Sequence, residues 1–186
     1  LPLDKKVILF GAMNGVGDKR KGFDDLVLAL QQIGSSDWRD RIEVVAIGSS
    51  EPENAPQLGM KTHYLGRIDR DNTLAQIYSA ADVTVVPSIQ EAFGKVAIES
   101  LACGTPVVSF DSTGLKDIVE HQKNGYRAQC FSASDLAEGI IWVLKDEDRW
   151  RALSWRSREK VEQEFTLEVQ ARAYLKLYEE ILLNRR

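Results

Sequence analysis

Short runs of β-branched and apolar residues alternate with helical patterns along most of this chain, and that alternation limits the possible folds more than any other feature. The predicted strands are residues 7–10, 42–47, 62–65, 83–86, 107–110 and a weaker 126–129. Between them, helices are predicted over 23–33, 72–80, 95–102, 115–120 and 134–144. The strand segments are continuously apolar rather than period-two, as in strands covered on both faces. The expected fold class is therefore α/β: a Rossmann-like, doubly wound parallel sheet of about six strands with C-terminal helices. After Leu144 only helix is expected, over 147–164 and 167–184, with Thr166 placed to cap the second. Tyr174, Leu177, Tyr178 and Ile181 share one face of that last helix, which reads either as packing on the same domain or as an orphaned interface.

At 186 residues the chain fits one domain with a sizeable core, and no repeat or low-complexity linker divides it. It begins Leu1-Pro2-Leu3, without Met, and reads as a piece of something longer. No apolar run approaches the roughly 18 to 20 residues that span a bilayer, so the expected location is cytoplasmic, either free or peripheral at the inner face of the membrane. A net charge of -4 argues against a nucleic-acid surface. The two cysteines, Cys103 and Cys130, belong to no metal-spaced cluster, and no metal site is expected.

In open α/β sheets, ligands bind beyond the carboxyl ends of the strands, where the strand order switches. For the common order 3-2-1-4-5-6, that crevice opens between the loops "GAMNGVGDKRKG" (11–22) and "PSIQEAFG" (87–94). Gly94 falls just before a helix start, where free N–H groups and the helix dipole attract a phosphate or a polar sugar oxygen. Glu91 flanks that start and Glu99 stands about one and a half turns into the helix. Carboxylates accept well from hydroxyl groups, while Lys19, Arg20 and Lys21 bring positive charge to the other side. A ligand carrying both phosphates and sugar hydroxyls would use both charge types. The bland alternatives are an electrostatic cap at Glu91, a solvated Glu99 and a solvated basic turn.

Gly11, Gly15 and Gly17 support a rival, since G-x-x-x-G-x-G follows the first strand of short-chain dehydrogenases. Against it, the chain has no Y-x-x-x-K pair, and residues 18–21 delay the helix that should follow the glycines. No G-x-x-x-x-G-K-[ST] or G-x-S-x-G is present, and His63 and His121 are the only imidazoles, so NTPase and hydrolase chemistry have little support.

The stretch "PSIQEAFGKVAIESLACGTPVVSFDSTGLKDIV", residues 87–119, resembles the donor-binding signature of family 4 retaining glycosyltransferases, which have the GT-B fold. That signature has a Glu, seven residues, a second Glu, a small-residue helix end and Gly-Thr-Pro-Val. Glu91, Glu99, Gly104, Thr105, Pro106 and Val107 match it in order, and Lys21-Gly22, Leu65-Gly66 and Ala81-Asp82-Val83 extend it along the chain. The resemblance implies a nucleotide-diphosphate-sugar donor, UDP- or GDP-linked, with no separate cofactor. It implies that Lys21 and Arg20 hold the diphosphate, that Glu91 accepts from hydroxyls of the transferred sugar, and that Glu99 accepts from those of the ribose. Backbone N–H groups around Phe93, Gly94 and Lys95 would meet sugar or phosphate, Gly66, Arg67 and Ile68 would flank the base, and Gly11 would open the first crevice loop.

The chain departs from the family pattern at two positions. Ala12 stands where members usually have Arg, with Arg20 the candidate replacement, and Thr113-Gly114 stands where many have Gly-Gly. The resemblance covers only the family's C-terminal domain. Residues 1–186 are therefore expected to be one half of a GT-B fold, without the N-terminal acceptor domain, binding a donor but not transferring its sugar. The parent protein would serve polysaccharide or glycoconjugate synthesis. An NAD(P)-binding oxidoreductase domain and half of a GT-B sugar-nucleotide epimerase are the alternatives.

Overall fold

Six strands pair in parallel in the computed structural model, which describes residues 4–11 and 19–183. They are β1 (Lys6–Gly11), β2 (Ile42–Ile47), β3 (Lys61–Tyr64), β4 (Val83–Val86), β5 (Val107–Phe110) and β6 (Gly125–Ala128), in the order β3-β2-β1-β4-β5-β6. The predicted doubly wound order is thus observed, with its switch between β1 and β4. Every residue of β2, β4 and β5 is buried, as continuous apolar strands require when both faces are covered. Ala12, Gly15 and Gly17 lie outside the described residues, so the dehydrogenase-like glycine spacing has no structural reading beyond Gly11.

Among the described residues, seven α-helices carry the crossovers and the C-terminal extension: α1 (Phe23–Gly34), α2 (Asp71–Ala80), α3 (Lys95–Ala102), α4 (Leu115–Ile118), α5 (Ala133–Leu144), α6 (Glu147–Glu164) and α7 (Leu167–Leu183). α1 and α5 bury Leu26, Leu30, Leu136 and Ile140 against one face of the sheet. Tyr78 of α2 packs with Val7, Leu9 and Val45 on the other face, while Ala97 and Leu101 of α3 pack with Val86 and Val107. α6 crosses the amino ends of the strands: Trp150 Nε1 donates to the Asp82 carbonyl at 2.6 Å and Ser157 Oγ to that of Asn124 at 3.1 Å. That closes one rim of the sheet and leaves the carboxyl rim open.

No helix among the described residues is long and apolar enough to cross a membrane. Thr166 caps α7 as expected, its Oγ1 accepting from Val169 N–H at 3.2 Å. Beyond its start against α6, the apolar face of α7 is left uncovered by the described residues. No residue of α7 is buried, and Tyr174, Leu177, Tyr178 and Ile181 are 52, 47, 57 and 43% exposed.

Glu43 interrupts the apolar strands. Buried on β2, it places Oε2 2.6 Å from His63 Nε2 on β3 and Oε1 3.7 Å from Lys5 Nζ. The His63 hydrogen bond, helped by Lys61 and Lys5, outweighs burial and holds the carboxyl below its ordinary range. A carboxyl depressed on folding adds stability above its unfolded pKa, about 4.3, and that stability is lost as pH falls through the folded value. Glu43→Gln is expected to lower Tm at neutral pH, with the difference shrinking as pH falls below the unfolded value of about 4.3. A difference undiminished in acid would assign the loss to packing instead.

Candidate functional site

The carboxyl ends of β1, β2 and β4 open into a cleft of about 530 Å³. Two other depressions are of similar size, about 460 Å³ along the α1–α5 seam and about 560 Å³ beside α6, so volume does not single out the site. Position does: of these three, among the described residues, this cleft lies at the switch of strand order. Its lining includes Gly11, Lys21, Arg67, Ile68, Glu91, Gly94, Lys95 and Glu99, eight of the eleven residues expected from sequence. The other three, Gly66, Phe93 and Arg20, lie outside it.

The first crevice loop returns through a 3-10 turn, Lys19–Lys21, to Gly22 at φ 63°. Gly22 is buried against the end of β4, where a Cβ would run into the Pro87 carbonyl oxygen. The next residues of the second loop bind the same turn, with Ile89 N–H donating to the Arg20 carbonyl at 2.7 Å. This junction sets Lys21 beside Glu91, Nζ to Oε2 at 2.8 Å, so residues 70 positions apart form an ion pair at the cleft wall. Arg20 lies exposed on the same turn.

Glu91 is held through its backbone by Thr113, whose Oγ1 accepts from Glu91 N–H at 2.8 Å and donates to Glu91 C=O at 3.0 Å. Gly114 N–H donates to the same carbonyl at 3.0 Å. Thr113 takes φ 29°, an uncommon conformation for a β-branched residue. At this departure from the Gly-Gly pattern, the threonine side chain therefore makes the tie to Glu91 itself.

α3 starts immediately after Gly94, which caps it in the left-handed conformation at φ 75° with no side-chain hydrogen bond. Its first-turn N–H groups thus receive no side-chain cap, and the positive end of the helix dipole faces the cleft. A Cβ at Gly94 would come within 2.9 Å of Leu115 Cδ2 and 3.0 Å of Ile118 Cδ1, so α4 packs directly over the helix start. Phe93 points to the rim, 55% exposed, with its ring edge-on to Phe165 at 6.3 Å.

On the opposite wall, Gly48 N–H donates to the Gly66 carbonyl at 2.7 Å and holds the segment after β3 to the end of β2. Gly66 contributes through this tie rather than as lining. Arg67 turns to Asp69, Nε to Oδ1 at 2.6 Å, with both side chains largely exposed.

Sequence reasoning missed Tyr78, which lines the cleft floor, 2% exposed, and donates from its hydroxyl to Glu99 Oε2 at 3.2 Å. Burial first, then the nearby Glu99, raises the phenol above its ordinary pKa, so it stays a proton donor. Thr105 of the Gly-Thr-Pro-Val stretch donates to the Tyr78 carbonyl at 2.6 Å. The signal in sequence was only the apolar spacing of Leu74, Ile77 and Tyr78, which reads as core. Among the described residues, no group of three or more His, Cys, Asp or Glu is placed to hold a metal.

Residues 2–160 match the family described as glycosyl transferases group 1. An uncharacterized glycosyltransferase from Methanocaldococcus jannaschii is 36% identical over 156 residues, 77% of this chain and 37% of the relative. Among solved structures, sucrose-phosphate synthase from Thermosynechococcus elongatus superposes with a TM-score of 0.82 at 33% identity, over 99% of this chain and 47% of that one. Anabaena HepE in complex with UDP gives 0.77 at 21% identity, over 95% of this chain and 49% of that one, and shares the fold. This chain thus spans less than half the length of each of these proteins. The family match, not the glycine spacing, decides against the dehydrogenase reading, and its span takes in every loop that lines the cleft. This chain is therefore a member of the group 1 glycosyl transferases.

Proposed function

We propose that the cleft binds the nucleotide-diphosphate-sugar donor of a retaining, family 4 type glycosyl transfer, and that this chain is the donor half of a two-domain enzyme. The observation that carries this reading is the meeting, at the switch point, of Lys21, two carboxylates and a helix start without a side-chain cap. The cation and the helix start suit a diphosphate, and Glu91 and Glu99 suit the hydroxyls of sugar and ribose. As the donor bond breaks, negative charge grows on the leaving diphosphate, and Lys21 and the N-terminus of α3 stabilise it, with Arg20 adding positive charge from outside the cleft. Arg67 and Ile68, on the segment that Gly66 ties to β2, flank the base, which the UDP complex of HepE suggests testing first as uracil.

The exposed apolar face of α7 supports a second domain, because Tyr174, Leu177, Tyr178 and Ile181 find no cover on this one. That domain would carry the acceptor site, so this chain alone binds donor without transferring sugar. The proposed setting is polysaccharide or glycoconjugate synthesis at the cytoplasmic side.

Thermal unfolding with millimolar UDP, GDP, ADP and NAD tests the reading. One nucleoside diphosphate at about 100 times its Kd should add about 2.7 kcal/mol, roughly 5 to 10 °C in Tm for a chain of this size. Glu99→Ala should remove much of that shift. Stabilisation by NAD alone, or sugar transfer by this chain on its own, would contradict the proposal.

A further inference from the structure

Tyr78 and Glu99 come from different helices, α2 and α3, and meet across the cleft floor. The tyrosine is anchored from both ends. Its ring is buried with Val7, Leu9 and Val45, and its carbonyl accepts from Thr105 Oγ1 at 2.6 Å. Thr105 is itself fixed, its carbonyl accepting from Ser100 Oγ at 3.0 Å, and Ser100 Oγ is in turn hydrogen-bonded to the Thr84 hydroxyl, Oγ to Oγ1 at 2.8 Å. This buried network ties the end of α2, the start of β4 and the α3–β5 turn together, so the phenol oxygen has little freedom. Glu99 by contrast is half-buried and extends from the helix surface, with Lys95 Nζ 3.7 Å from Oε1. A carboxylate on a flexible side chain gains most, as a hydroxyl acceptor, from having one oxygen fixed by a rigid donor.

We propose that Tyr78 is a positioning residue for Glu99: its hydroxyl holds Oε2 so that Oε1 is presented to the vicinal hydroxyls of the donor's ribose. This rests on the donor-site reading above and adds to it the group that sets ribose recognition. Tyr78 touches no reacting atom. Its effect is confined to how well the site distinguishes a nucleotide with ribose hydroxyls from one without.

The test is titration calorimetry of this chain with UDP, GDP and ADP and with their 2′,3′-dideoxy forms. The wild type is expected to bind the ribose form of its preferred nucleotide about tenfold more tightly than the dideoxy form. Tyr78→Phe, which keeps the ring and removes only the hydroxyl, should cut that preference by about threefold to tenfold while the dideoxy affinity changes by less than about twofold. Glu99→Gln should erase most of the preference, and adding Tyr78→Phe to it should change nothing further. Glu99→Asp, which withdraws the carboxylate from the phenol without touching Tyr78, should reproduce the selective loss. Equal weakening of both nucleotide forms in Tyr78→Phe would reduce the tyrosine to a packing residue and overturn the proposal, as would an intact preference. A wild type that binds nucleotides without ribose preference removes the role of Glu99 and the proposal with it. Binding of none of the six probes overturns the donor-site reading itself.

Discussion

Replacing Gly22 with alanine is expected to lower stability by roughly 3 kcal/mol or more, about 6 to 12 °C in Tm for a chain of this size. Two costs combine. At φ 63° an L side chain meets its own backbone, a penalty of about 1 to 2 kcal/mol. The added Cβ also runs into the Pro87 carbonyl, which is backbone and moves only if the end of β4 moves. Relief requires separating the two crevice loops, which breaks the hydrogen bond from Ile89 N–H to the Arg20 carbonyl and withdraws Lys21 from Glu91. The variant should therefore lose nucleotide binding in proportion to its loss of stability, even though Gly22 contributes no side chain to the cleft. Differential scanning calorimetry decides the point. A Tm within about 2 °C of wild type would mean the junction yields without cost.

That junction also shows what was legible in the sequence. The continuous apolar runs, with a helical pattern between them, were enough to read a parallel sheet, and the common strand order then located its switch point. Once the switch point was located, Lys21, Glu91 and Glu99 could be placed in one crevice without contact information. Boundaries were harder wherever a distant side chain decides them. α4 was expected to run to 120 but stops at Ile118, because Asn124 takes both the Ile118 carbonyl and the Glu120 N–H. Apolarity favoured 62–65 for the third strand, yet the structure begins it at Lys61, which pairs with buried Glu43, and ends it before exposed Leu65.

Tyr78 and Thr113 were not legible as site residues, for different reasons. Tyr78 sits on an apolar helix face, and only the packing of α2 against α3 turns its hydroxyl towards Glu99. Thr113 was seen as a departure from Gly-Gly, and only its φ of 29° and its two bonds to Glu91 show the side chain taking over a backbone task.

Lys21→Ala and Glu91→Gln are expected to move nucleotide affinity in opposite directions. Lys21 supplies the cation of the proposed diphosphate site, and a charge-assisted hydrogen bond to a phosphate contributes roughly 2 to 3 kcal/mol. Its removal should weaken UDP and UDP-glucose alike, by about 30- to 150-fold. Glu91 works against the same diphosphate, because its carboxylate engages Lys21 Nζ at 2.8 Å and adds like charge beside the phosphates. Both side chains are partly exposed, so the pair itself contributes no more than about 1 kcal/mol. Glu91→Gln should accordingly tighten UDP by up to about fivefold. The same change removes the acceptor proposed for the sugar hydroxyls, so the advantage of UDP-glucose over UDP should shrink. Titration of both variants with both nucleotides separates the roles, with GDP and GDP-mannose replacing them if guanine is the preferred base. If Glu91→Gln instead weakens the bare diphosphate, the carboxylate serves to aim Lys21, and the ion pair, rather than the sugar, accounts for Glu91 in the cleft wall.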